Sequence, residues 1–143
     1  MKANPEEIAS TILDLERSLN ERWSVGDCSG YLDNFSDDIS YFDPVVDHLL
    51  VGRENVVNHI KGIYKNPNIV RNEYLNPSVV VSESADLAVL SYNLKTFIHD
   101  TSGIEQPLRE WNSTEVYRFI EGQWRLIHSN WGLTKSVALA IAS

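Results

Sequence analysis

Residues Gln106 to Leu133 read QPLREWNSTEVYRFIEGQWRLIHSNWGL, and the first half alternates strictly. Trp111, Ser113, Glu115, Tyr117 and Phe119 fall on one side of an extended chain, and Asn112, Thr114, Val116 and Arg118 on the other. A period of two is the signature of a β-strand with one face covered. The pair Glu121-Gly122 interrupts the pattern for two polar residues, after which Gln123 to Leu133 resumes it. So short a connection joins antiparallel neighbours.

Upstream, two further extended runs precede this hairpin, about Ile69 to Ser82 and Leu87 to Asp100, separated by Ala85-Asp86 and Thr101-Ser102-Gly103. Before Pro67 the period changes. Asn4-Pro5-Glu6-Glu7 predicts a capped helix start, with Asn4 as the cap, Pro5 where its missing N–H costs nothing and Glu7 as the capping-box acid. Ile8, Ile12, Leu15, Leu19 and Trp23 then form an apolar stripe that Gly26 ends. A short helix is expected from Asp27 through Tyr31, Leu32 and Phe35, a strand over Ile39 to Asp43 closed by Pro44, and a short partner over His48 to Val51. Val56, Val57, Ile60, Ile63 and Tyr64 predict a third helix that Asn66-Pro67 stops. Helices followed by a meander define an α+β fold, one domain over residues 1–143 with the sheet curling over the helices.

The second run carries apolar residues on both faces, Leu87, Val89 and Phe97 against Leu90, Tyr92, Leu94 and Ile98. With Tyr92, Leu94 and Val116 pointing away from the helices, the outer sheet face is expected to meet a second copy of the chain as a homodimer.

Composition narrows the partners. The 143 residues are 43% hydrophobic, enough for a core without disulfides or metal, and the formal charge is −8. That charge disfavours nucleic acid and anionic membrane surfaces. The apolar tail Val137 to Ala142 is far shorter than the roughly 20 residues that span a bilayer, and is expected to pack on the domain or a second subunit. A lone cysteine, Cys28, and a polar start point to the reducing cytoplasm. His48, His59, His99 and His128 lack metal-ligand spacing, so neither metal nor cofactor is expected. Gly26-Asp27-Cys28-Ser29-Gly30 has the spelling of a nucleophile elbow but joins two helices, where that motif needs a strand.

Several strings together resemble the nuclear transport factor 2 superfamily over Pro5 to Leu133. Leu75-Asn76-Pro77, Thr114-Glu115-Val116-Tyr117 and Gly122 to His128 are most similar to the association domain of calcium/calmodulin-dependent protein kinase II. Phe35-Ser36-Asp37-Asp38, Asp43-Pro44-Val45 and Glu115 to Phe119 are similar to ketosteroid isomerase. The resemblance implies a cone-shaped half-barrel around a long helix, with a cavity at its open end and association through the outer sheet. It also implies Asp43 as a general base and Glu115 as a neutral acid donor, the division of roles that ketosteroid isomerase uses. The isomerase tyrosine on the first helix falls near Leu19, so that half of the oxyanion site is absent, and the association-domain cavity arginines fall near Asn93, Glu115 and Trp131, none of them cationic.

The candidate catalytic residues are thus Asp43, Glu115 and His128, and the candidate pocket lining is Tyr41, Asn93, Phe97, Trp111, Tyr117 and Trp131. Each has a competing reading. Asp43 also suits a turn before proline, and Glu115 an ion pair with Lys95 or Arg109. His128 also suits a hydrogen-bonded core histidine, and the aromatic rings plain packing. Two functions follow: a binder of a small apolar or aromatic molecule with acid/base proton-transfer chemistry, or a non-catalytic assembly module.

Overall fold

The computed structural model describes residues 4–135. Helix α1 spans Pro5–Ser24; Asn4 caps it by accepting the Glu7 backbone N–H at 2.8 Å. Helix α2, Ser29–Asn34, leads directly into strand β1, Phe35–Phe42, so Phe35 begins the strand instead of ending the helix. Strand β2 is the two-residue Leu50–Val51, and helix α3 covers Arg53–Ile63. The long strands are β3 (Arg71–Val81), β4 (Leu87–His99), β5 (Glu105–Ile120) and β6 (Gln123–Leu133). The expected packing of Val137 to Ala142 falls outside the described residues.

One six-stranded sheet runs β2-β1-β6-β5-β4-β3, antiparallel throughout except where β1 lies parallel to β6. It curves without closing, and the helices fill its concave side, giving the α+β cone. Ile12 and Leu19 of α1, Leu32 of α2, Val56 and Ile60 of α3 and Leu90 and Leu126 of the sheet form the core.

Two details of register move side chains from the face that alternation alone suggests. Residues paired across β4 and β5 share a face, and Leu90 pairs with Glu115, Tyr92 with Ser113 and Leu94 with Trp111. Tyr92 and Leu94 are therefore buried on the concave side, not on the outer face. Asn93 and Phe97 move the opposite way, to the convex face: Asn93 Nδ2 donates to Asn112 Oδ1, and the Arg71 guanidinium lies 3.9 Å from the Phe97 ring centre. The parity of a hairpin is set by its loop, and one residue of slip exchanges every side chain between faces. In β6 an irregularity between Tyr117, paired with Leu126, and Val116, paired with His128, adds one residue to the strand. That bulge sends Leu126 inward and His128 outward. The outer face then shows a row Val80–Val89–Val116–His128 across four strands.

Candidate functional site

The concave side leaves a cavity of about 240 Å³ between α1, the α2–β1 junction, α3 and strands β4 to β6. Its wall is aromatic: Trp23, Tyr31, Phe35, Tyr41, Trp111 and Trp131 all line it. Trp111 and Trp131 meet edge to face at 5.9 Å, as do Tyr31 and Trp131 at 6.4 Å. The i and i+2 positions of β strands and the i and i+4 positions of α1 converge here because the sheet's inner face and the helix's buried stripe are both period-matched to it.

Asp43 sits at the wall, at the end of β1. Proline at 44 stops the strand, and the carboxylate folds back onto the turn: Oδ1 accepts from the Val45 N–H at 2.7 Å and the Val46 N–H at 3.2 Å. Oδ2 accepts from Tyr41 Oη at 2.9 Å and meets His59 Nε2 at 2.7 Å. Burial alone would raise this carboxyl, but the His59, Val45 and Tyr41 hydrogen bonds outweigh it and hold the group below the usual carboxylate range. The Asp43 turn and the Asp43 pocket position are thus both present in one residue.

Glu115 is fully buried on β5, but not as an ion pair: Lys95 reaches Glu110 at 3.5 Å instead, and no cation bridges Glu115 among the described residues. Its partner is a residue that sequence alternation did not single out, Glu16 of α1. Three buried tyrosines converge on Glu16. Oε2 accepts from Tyr31 at 2.9 Å and from Tyr92 at 2.5 Å, and Oε1 from Tyr117 at 2.5 Å. Ser129 donates to Glu115 Oε1, and Trp131 Nε1 donates to Ser129 Oγ at 3.1 Å. Burial pushes Glu115 well above the usual range, and the neighbouring Glu16 charge pushes it further. Burial also raises Glu16, against the pull of its tyrosine donors. The arrangement favours one proton held on Glu115 beside a Glu16 carboxylate, since two like charges in one dry site oppose each other.

Of the nine residues expected at the site, Tyr41, Asp43, Trp111 and Trp131 line the cavity. Glu115 and Tyr117 lie in the layer beneath: the cavity-lining Ser129 donates to Glu115, and Tyr117 donates to Glu16, which the cavity-lining Tyr31 also serves. Asn93 and Phe97 belong to the outer face by the register of β4, and His128 by the β6 bulge. His128 Nδ1 is 2.7 Å from Ser40 Oγ, its ring stands edge-on to Phe42, and burial lowers its pKa. Glu16, Asn20 and Ser24 were missed because they share the buried side of α1 with its apolar residues. The signal was the exact step of four from Ile8 and Ile12 onward to 16, 20 and 24.

The cavity, the cone and the buried carboxyl pair define a small pocket-bearing α+β protein. Residues 12–131 match the SnoaL-like domain model, and the chain belongs to that family. Among solved structures, a "putative ketosteroid isomerase" from Parabacteroides distasonis is 28% identical, with a TM-score of 0.78 over 96% of this chain and 97% of that one. An NTF2-like protein of unknown function from Pseudomonas putida is 23% identical, with a TM-score of 0.75 over 96% and 94%. The association domain of the C. elegans kinase CaMKII is 23% identical, with a TM-score of 0.70 over 88% and 95%. No curated protein matches. No helix of the described residues is long and apolar enough to cross a membrane.

Proposed function

We propose that the chain binds a small, flat, largely apolar molecule in the cone's cavity. The observation that carries this is the aromatic wall around about 240 Å³ of concave space, with one carboxylate among the described residues, Asp43, set into it. Quenching of tryptophan fluorescence by naphthalene-sized ligands tests it; saturable quenching is expected, and none at any concentration up to solubility refutes it.

The likeness to the Parabacteroides protein supports a second reading, proton transfer at Asp43. Its two oxygens have about four lone-pair positions, and four donors occupy them. So solvated a carboxylate is a weak base, and one side-chain donor must turn aside before Oδ2 can take a proton. The substrate proton must therefore be acidified already, as between a carbonyl and an aromatic ring. Deuterium exchange at C1 of 2-tetralone, followed by NMR in D₂O, tests this reading: wild type accelerates it and Asp43→Asn does not. Binding without exchange in wild type leaves a ligand-binding protein and removes the enzyme. Glu115 takes no direct part, because Ser129 stands between it and the cavity.

Self-association completes the proposal. With Tyr92 and Leu94 turned inward, the surface that supports it is the Val80–Val89–Val116 row, of which Val80 is 65% exposed.

A further inference from the structure

The hydroxyl and indole hydrogens at the floor of the cavity can be followed one by one. Ser129, Tyr31, Asn20 and Trp131 line that floor, and each also touches the buried carboxyl layer or a residue bound to it. The Ser129 hydroxyl gives its hydrogen to Glu115 Oε1, and Trp131 gives its indole hydrogen to Ser129 Oγ. The Tyr31 hydrogen has two acceptors, Glu16 Oε2 at 2.9 Å and Asn20 Oδ1 at 2.8 Å, both within the protein. One of the two Asn20 Nδ2 hydrogens goes to Tyr92 Oη at 2.9 Å. Glu115 Oε2 is buried and makes no hydrogen bond, so this layer directs no donor out toward the cavity from that oxygen. The inward pull comes from the carboxyl pair: an ionised acceptor takes hydrogens in preference to a neutral ligand.

We infer that the cavity floor is an acceptor surface, and that the ligand it selects is a neutral molecule carrying a hydroxyl or N–H donor at its buried, otherwise apolar end. The inference rests on the pocket reading and specifies its ligand class. Oxygen lone pairs of Ser129 and Tyr31 are what remain to meet such a donor. A ligand offering only a carbonyl or ether oxygen there sets acceptor against acceptor, and a bare hydrocarbon leaves the remaining lone pairs of the floor oxygens dry and unmatched. Sites built around a ligand hydroxyl reject the analogue lacking it far more strongly than apolar pockets reject a missing methylene.

Three probes on the wild-type protein test this by tryptophan fluorescence: 2-naphthol, 2-methoxynaphthalene and naphthalene. The naphthol is expected to bind at least about ten-fold more tightly than both others. Because the ether adds a methyl and the hydrocarbon removes the oxygen, size alone cannot produce that order. Equal binding of all three, or tighter binding of either comparison, overturns the inference and leaves the pocket reading standing; no binding of any overturns both. The donor could instead reach Asp43 at the wall, so the preference is measured again in Asp43→Asn. Its survival supports the floor and its loss overturns the inference. Should that variant not fold, the Trp131 indole N–H resonance of wild type decides: a naphthol-specific shift supports the floor, and its absence overturns it.

Discussion

Replacing Tyr117 by Phe removes one oxygen from a site with no solvent access. Tyr117 is 0% exposed, and its hydroxyl donates to Glu16 Oε1 at 2.5 Å. The ring stays packed against Leu126 in the neighbouring strand register, so almost no cavity is opened. What is lost is one hydrogen bond to a charged acceptor, worth about 1.5–3 kcal/mol, and the Glu16 oxygen it served is left without that donor. We expect a loss of about 2 kcal/mol, near the middle of that range. For a chain of this size this corresponds to a fall in melting temperature of roughly 4–8 °C, at about 2–4 °C per kcal/mol. Urea unfolding followed by tryptophan fluorescence gives the free energy, with an unchanged m-value showing that the folded and unfolded states keep their compactness. Tyr31→Phe and Tyr92→Phe are companions, because all three hydroxyls serve one carboxylate; the effects of such neighbours are not additive. A Tyr117→Phe protein within about 0.5 kcal/mol of wild type, the scale of a neutral surface change, refutes an ionised Glu16 at the centre of the network.

Glu115→Gln keeps the shape of the protonated acid without its ability to ionise. A folded pKa raised above the ordinary value of 4.5 stabilises fully below that value and is lost as pH climbs from it through the folded pKa. The variant should therefore lose less stability than wild type above pH 4.5, in melts across the acid-to-neutral range, and parallel curves would contradict it. Carboxyl NMR of wild type checks the same point: Glu115 titrating at or below 4.5 removes the protonated acid. Asp43→Asn has the opposite sign, since a lowered carboxyl stabilises above 3.8 and loses that contribution as pH falls through the folded value; the variant's acid limb should be flatter. Val116→Asp, on the outer valine row, should shift light scattering toward monomer while leaving the helical circular dichroism intact; a wild-type monomer at micromolar concentration removes that surface from the account.

The helix boundaries and the meander were legible because caps, prolines and strict periodicity state them locally, whereas the cone followed from the family resemblance. Asn4-Pro5, Gly26 and Pro44 each mark an end that the structure places within a residue or two. Side-chain faces were less legible, and for one reason. Face assignment in β4 depends on the parity of a loop, and in β6 on a single inserted residue, neither of which changes the composition of the strand. Tyr92 and Leu94, Asn93 and Phe97, and His128 all moved on that account. Trp111, Glu115 and Tyr117 keep the face that alternation gives them because β5 pairs with β4 in unbroken register from Arg109 to Arg118. Glu16 was hidden differently: its step of four from Ile8 and Ile12 puts it on the buried side, but a charged residue reads as solvent-facing unless its partners are known, and its three tyrosines come from α2, β4 and β5. Nothing local in α1 announces them.

The central claim is the occupied cavity, and residue-resolved NMR with 2-naphthol addresses it most directly. Assigned indole N–H signals of Trp23, Trp111 and Trp131 line the cavity, while Trp124 lies against Phe119 at the far end of the sheet and serves as an internal control. The account predicts saturable shifts of the three cavity indoles and of the Tyr31 and Tyr41 rings, with Trp124 unmoved. Shifts confined to Trp124 and the outer valine row, or no saturable shift anywhere, would contradict it.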